Sequence, residues 1–290
     1  MKIGFSLLNN WGIDDVHALV DLAVRAEELG LDSVWVHDHV FNVGHVADRI
    51  GGRPYHEPLT VLSFVAARTT RIRLGTSVLV LPYHNPIRLA KTAATLDVLS
   101  RGRLILGVGV GAIEQEIRAM GNVFAERGAF SDEAIAVMRQ LWTEDDPSFD
   151  GKYSRFSGMK FSPKPVHRAI PVVIGGVSRA AIRRAARLGD GWQPLGLSPE
   201  ALRDAMASLR EQAKAHGRDI ASIPVSVALG VGAPGARGRH ALGTERAQIA
   251  GNAKAYADLG VDTLIVSANT SDPAQARRIL EMIAREVPNQ

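Results

Sequence analysis

The sequence predicts an α/β protein folded as a single (β/α)8 TIM barrel over residues 1–290, with an insertion after the fourth helix. Three observations point there. Eight short apolar runs are each followed by a segment with apolar residues at helical spacing. At 290 residues the chain suits one such barrel, and no linker divides it. The main rival, a doubly wound open sheet, wants a glycine-rich turn after the first strand, where this chain reads Leu7-Leu8-Asn9-Asn10.

The elements follow in order. Residues 2–8 form an apolar strand, and 13–29 carry a helical period that stops at Gly30. The second strand, 33–37, precedes a loop rich in Gly and His and a helix over 58–68. A strand at 72–81, a helix opened by Pro86 and running through Leu99, and a strand at 104–110 come next. The fourth helix comes in two pieces, 114–120 and 131–142, and residues 145–161 then break the rhythm with Pro, Gly and aromatics, as a hairpin insertion would. Strands at 171–174, 190–193, 223–231 and 263–267, with helices over 179–188, 199–216, 244–259 and 272–286, complete the barrel.

Composition narrows the class. Hydrophobic content of 46% with 22% charged residues fits a soluble protein with a sizeable core. No run approaches a membrane span, and Met1 leads straight into a strand, so a cytoplasmic location is expected. The absence of cysteine excludes disulfides, thiolate metal sites and cysteine nucleophiles. A formal charge of +4 without a long basic tract argues against nucleic acid and suits a small anionic ligand.

In a barrel the chemistry sits at the C-terminal ends of the strands. Along 33–40, Val34, Val36 and Asp38 alternate with Trp35, His37 and His39, so one strand ends in an acid and two imidazoles. His37 and His39 have the spacing of a strand-borne metal pair, which raises a metal-dependent barrel hydrolase as an alternative. The other strand ends, such as Gly-Gly-Val and Gln-Pro, supply few further ligands, so no metal residue is assigned. The same residues could simply cap the strand; a positioned imidazole beside a carboxylate, able to exchange a proton near neutral pH, is the reading preferred.

Gly107, Gly109 and Gly111 strip one face of the fourth strand, which permits tight packing or the close approach of a flat ring. Gly175, Gly176, Val177 and Ser178 lead into an Arg-rich helix, and fit either a plain N-cap or an anion-binding nest, with Arg179 and Arg183 or Arg184 adding charge. The basic loop 233–240 fits contact with an anionic tail as well as it fits a disordered loop. Trp11, His45, Tyr55 and Tyr83 suggest an amphipathic substrate, bounded by the 40–56 loop and the 145–161 insertion.

The chain resembles the luciferase-like flavin and deazaflavin oxidoreductases, particularly their coenzyme F420-dependent branch. The resemblance rests on KIGFSL, GLDSVWVHDHV, IPVVIGGVSRAAIRRAARLGDGW and, most specifically, the block from Asn85 to Gly111 within RIRLGTSVLVLPYHNPIRLAKTAATLDVLSRGRLILGVGVG. It implies a barrel of the bacterial luciferase type, usually a homodimer, that uses coenzyme F420 for hydride transfer with a small-molecule substrate. Carried over by position, it implies His39 as the catalytic residue at the reactive face, with Asp38 beside it. It likewise implies a non-prolyl cis peptide at Ser77 and Val78 supporting the ring, contacts to the ring from Val110, Gly111 and Ala112, and a phosphate site at Gly175, Gly176, Val177 and Ser178. Some deazaflavin dehydrogenases of the family place a Glu proton donor directly after the glycine aligned with Gly111; here that position is Ala112, and Glu114 has a different helical bearing. A sugar-phosphate dehydrogenase mechanism is therefore not implied. An FMN-dependent monooxygenase working with a reductase partner is the nearest alternative, and a non-catalytic flavin-binding protein is another.

Overall fold

The computed structural model describes residues 1–233 and 239–287. In chain order its strands are β1 (Lys2–Ser6), β2 (Ser33–Val36), β3 (Arg73–Thr76), β4 (Leu79–Val80), β5 (Leu104–Gly109), β6 (Phe149–Asp150), β7 (Arg155–Phe156), β8 (Val172–Gly175), β9 (Gly191–Gln193), β10 (Ser226–Gly230) and β11 (Thr263–Ser267). Parallel pairing runs β10-β11-β1-β2-β3-β5-β8-β9. The remaining seam is closed by the bridges Trp192–Val225 and Leu195–Ala228, so the predicted barrel is the fold. β4 resumes the line of β3 and pairs with β5, while β6 and β7 form the expected hairpin insertion.

The helices are α1 (Val16–Glu28), α2 (His45–Ile50), α3 (Pro58–Arg68), α4 (Pro86–Leu99), α5 (Glu114–Ala119), α6 (Arg127–Thr143), α7 (Arg179–Leu188), α8 (Pro199–Ala215), α9 (Arg246–Asp258) and α10 (Pro273–Glu286). Four of them start alike. Glu57, Asn85, Ser198 and Asp272 each cap a helix whose next residue is proline, and each side chain accepts from a backbone N–H of the first turn. The proline fixes the entry dihedral and the cap satisfies an orphan donor, which is why these boundaries could be read from the chain. Among the described residues no helix is long and apolar enough to cross a membrane.

Each barrel strand is buried on both faces, so its run is continuously apolar rather than alternating. Val34 and Val36 of β2 join the large core between sheet and helices, while Trp35 points into the barrel with Ile105, Val173, Ala228 and Ile265. The indole lies against Gly4 and Gly75 on the two flanking strands, where an added Cβ would meet it at 2.6 and 2.3 Å, and its Nε1–H donates to Ser33 Oγ at 2.9 Å. Trp35 is thus the plug beneath the mouth.

Two boundaries differ from the periodicity. The second strand, expected over 33–37, stops at Val36, because His37, Asp38 and His39 leave it for partners on different elements. The strand expected over 72–81 breaks at Ser77–Val78, whose peptide is cis, and continues as β4. In the loop expected at 233–240, residues 234–238 lie outside the described residues.

Candidate active site

The end of β2 is pinned first. The Asn9 side chain donates to the carbonyls of His37 and His56 at 2.8 and 2.7 Å and accepts from the His37 N–H at 2.9 Å. From this fixed backbone the three polar side chains diverge. His37 turns inward above Trp35: Nδ1 lies 2.6 Å from the Ser77 carbonyl and Nε2 2.9 Å from Ser6 Oγ. A carbonyl only accepts, so Nδ1 carries the proton and Nε2 receives the serine hydroxyl's. Burial pushes the imidazole down to about 4, despite the Ser77 bond that favours its charged form, so His37 is neutral at pH 7.

Asp38 turns the other way, buried, and its Oδ2 accepts from the Val80 N–H at 2.9 Å and from His84 Nε2 at 2.8 Å. It ties β2 to the chain just past the cis peptide. His39 faces α5, where Nδ1 lies 2.7 Å from Glu116 Oε2. Glu116 is fully buried and receives three more bonds: from the N–H groups of Val40 and Phe41 on Oε1, at 2.9 and 3.0 Å, and from Tyr83 Oη–H on Oε2, at 2.7 Å. Burial alone would raise this carboxyl; the bonds from His39, Phe41 and Tyr83 outweigh it and hold it at about 2. A carboxylate can only accept, so His39 Nδ1 carries a proton and Nε2 is left for a ligand. Burial and the Glu116 carboxylate push the Tyr83 hydroxyl up. The rings of His45, Tyr55 and Tyr83 surround His39 at centroid distances of 5.3, 5.7 and 6.2 Å.

Ser77 and Val78 form the floor beside this group. A Cβ on Gly109 or Gly175 would meet Val78 methyls at 2.7 Å, and one on Gly107 would meet the Thr76 carbonyl at 1.8 Å. The glycine stripe expected to lie against a ring therefore receives the bulge itself, and Val78 is the surface offered to a ligand. Gly111 has a positive φ of 78° and would press on Val80, Val110 is half-buried, and Ala112 is exposed. Around the mouth, the buried atoms Asn10 Oδ1, Tyr55 Oη and Gln193 Nε2 have no hydrogen-bond partner among the described residues. An unmet buried donor or acceptor costs about 1–3 kcal/mol, so such atoms fit a planar ligand with polar edges better than an empty mouth.

At the next strand end, Ser178 caps α7, its Oγ accepting from the Ala181 N–H at 3.2 Å. The Gly176 N–H donates to the Gln193 carbonyl at 3.1 Å, and the Gly176 carbonyl accepts from Trp192 Nε1 at 2.9 Å. Gly176 has φ 115° and is spent on the neighbouring strand, so an anion here would meet α7's first turn and the exposed Val177 and Ser178. Arg184 is not available for that anion, because it and Arg187 are both paired with Asp132 on α6. The hairpin at 145–161 packs on the first half of α6: the N–H groups of Lys152, Tyr153 and Ser154 donate to Glu133, and Lys152 Nζ and the Tyr153 hydroxyl to Glu126. The 40–56 segment is what borders the mouth.

Of the residues singled out from the sequence, Asp38 and His39 lie at the end of β2 and Ser77–Val78 is the expected cis peptide; Glu116 and the inward turn of His37 were not read from the sequence. Helical bearing held the missing clue: Glu114 faces solvent and pairs with Arg118, whereas Glu116, turned about 200° from it, is adjacent to the buried Ile117. Among the described residues no group of three His, Cys, Asp or Glu converges as a metal ligand set would. His37 and His39, at metal-pair spacing, hold separate partners.

His37 also gives a pH signature. Unfolded, its imidazole binds a proton near 6.5; folded, only near 4, so between those values the unfolded state holds more protons and stability falls as pH drops. Urea midpoints measured from pH 7 to 4 should decline in this window for the wild type, and His37→Gln should flatten that part of the curve.

A family model described as luciferase-like monooxygenase matches residues 1–235. The chain is 32% identical over 279 residues to a protein of Kineococcus radiotolerans named F420-dependent glucose-6-phosphate dehydrogenase, covering 92% of this chain and 76% of that protein. It is 42% identical over 180 residues to a protein of the same name from Amycolatopsis mediterranei, covering 60% of this chain and 52% of the relative. The chain thus spans about half to three quarters of the length of these curated relatives. Among solved structures, an F420-dependent secondary alcohol dehydrogenase in complex with an F420-acetone adduct superposes with a TM-score of 0.85 at 20% identity, over 99% of this chain and 98% of that one. That likeness concerns the fold.

Proposed function

Since the chain belongs to the luciferase-like monooxygenase family, we propose that it is an oxidoreductase that uses coenzyme F420 for hydride transfer to or from a small organic substrate. The observation that carries the reading is the Glu116–His39 pair at the barrel mouth, next to Val78 and to buried polar atoms that await a ligand. When bound, the deazaflavin supplies a two-electron hydride carrier. Val78, backed by the glycines, would bear its ring together with Ser77, Val110, Gly111 and Ala112, and Asn10 and Gln193 would meet polar edges. Of the segment Gly175–Ser178, Val177 and Ser178 at the N-terminus of α7 would meet its phosphate, with Gly175 and Gly176 shaping the turn whose amide is bonded to Gln193.

His39 is the proposed catalytic residue. Its Nε2 exchanges the proton that accompanies hydride movement at the substrate carbon. Glu116 stays ionised and orients the ring; it is not the proton donor, and neither Ala112 nor the solvent-paired Glu114 takes that part. Asp38 positions Val80 and His84 from behind. The luciferase-like resemblance also supports a homodimer, for which light scattering on the purified protein is the test of assembly.

Titration of the purified protein with oxidised F420 and with FMN, followed by tryptophan quenching, tests the cofactor. F420 should bind at micromolar concentration or tighter and FMN at least tenfold more weakly. The reverse preference would favour a monooxygenase fed by a reductase. In a substrate screen read by F420 absorbance, His39→Ala should cut turnover far more than it cuts F420 affinity, and equal turnover would remove His39 from the chemistry.

A further inference from the structure

We propose that Tyr83 is a positioning residue that sets the pH at which His39 takes up and releases its proton, by donating its hydroxyl to the same Glu116 oxygen that orients the imidazole. The inference deepens the role given to His39 in the proposed function, and its catalytic consequence rests on that reading.

Glu116 is a fully buried carboxylate with four donors, which fill the roughly four lone-pair sites of its two oxygens. The Val40 and Phe41 amides take Oε1; His39 Nδ1–H and Tyr83 Oη–H share Oε2, each at 2.7 Å. Two of these donors are backbone and one is His39 itself, so Tyr83 is the donor that a side-chain change can remove. Packing alone does not call for the hydroxyl. The Tyr83 ring is buried with Val80 and Ile117, and Phe124 packs against them, a setting that a phenylalanine would fill equally well.

The chemical consequence is competition for one oxygen. An imidazole facing a buried carboxylate that has no other donor is held as an imidazolium and keeps its proton. A second donor on the same oxygen spreads the negative charge and weakens that hold. His39 then gives up its proton more readily, as exchange through the partly exposed ring requires. The other titratable and charged groups nearby stay the same when Tyr83 is changed. Tyr55 and His45 meet the His39 ring at steep angles, and the Tyr55 hydroxyl bonds neither His39 nor Glu116. Asp38 is committed to His84 and the Val80 N–H, His37 is neutral and turned inward, and Arg49 stacks on Trp11.

The test is an NMR titration of the imidazole nitrogens in protein carrying isotope-labelled histidine, without cofactor, with His39 assigned through His39→Gln. The wild-type ring should carry its proton on Nδ1 when neutral. In Tyr83→Phe the His39 midpoint should rise by about 0.5 pH unit or more, because the carboxylate then holds the imidazolium more tightly. A ring-fluorinated tyrosine at position 83, a stronger donor of nearly the same size, should move the midpoint down, and it decides the matter if Tyr83→Phe does not fold. Tyr55→Phe, which removes a phenol that bonds neither partner, should move it less than Tyr83→Phe does. The inference is overturned if the midpoint stays or falls in Tyr83→Phe, if Tyr55→Phe moves it as far, if the fluorinated ring raises it, or if the neutral wild-type ring is protonated on Nε2. Neither cofactor nor substrate enters this measurement, so failure to bind F420 would count against the proposed function, and an unmoved midpoint against the role of Tyr83.

Discussion

Glu116→Gln is expected to lower turnover by about two orders of magnitude while leaving F420 affinity nearly unchanged, since a positioned acid–base group contributes about 10²–10⁴-fold. The reason is the direction of one proton. The carboxylate accepts from His39 Nδ1–H and Tyr83 Oη–H on the same oxygen, Oε2. A glutamine can keep its carbonyl on the Val40 and Phe41 amides, but then presents an NH2 group to two donors. Tyr83 can rotate its hydroxyl. His39 has to move its proton to Nε2, the atom proposed to receive the substrate's. Single-turnover F420 absorbance traces check the rate; a variant within threefold of the wild type would remove the orienting role. Stability should change in a distinct acid window. The carboxyl titrates near 4.5 unfolded and about 2 folded, so its contribution is complete above 4.5 and is lost as pH falls toward 2, and the variant should lack that loss. This lies below the His37 window, so the two effects separate on one pH series.

Gly107→Ala should be the most destabilising single change at the site, costing about 4 kcal/mol or more, because its Cβ would sit 1.8 Å from a backbone oxygen that cannot swing away. Gly109→Ala and Gly175→Ala meet methyl groups of Val78 at 2.7 Å instead, and a side chain can yield. They should cost about 1–3 kcal/mol each, and Val78→Ala in the same molecule should recover much of it. Urea unfolding of the singles and doubles measures the coupling. If Val78→Ala gave no relief, the bulge would not be what the glycines accommodate.

These sites show how far a chain can be read without its fold. The barrel was legible because each strand is buried on both faces and several helices announce themselves with a capping residue and a proline, both local signals. His39 was legible as a titratable group at a strand end. Glu116 was not: its meaning comes from contact with a residue 77 positions away, and Ala112 and Glu114 occupied the positions that drew attention. Alternating glycines disclosed an open face but not what fills it, since Val78 reaches them only through the break between β3 and β4 at Ser77–Val78. Arg184 on α7 looked available for a phosphate until the fold paired it with Asp132 on α6.

The two oxygens of Glu116 have separate employments: one faces the imidazole and the phenol, the other receives the backbone where the chain departs toward α2. The reacting group and the root of the segment that frames the substrate are thereby moored to one carboxylate. Side chains of the 42–55 segment other than His45 and Tyr55, whose rings pack on His39, can then change downstream of that mooring without releasing the imidazole. On the proposed function, selectivity and chemistry would then be separable, joined at a single residue.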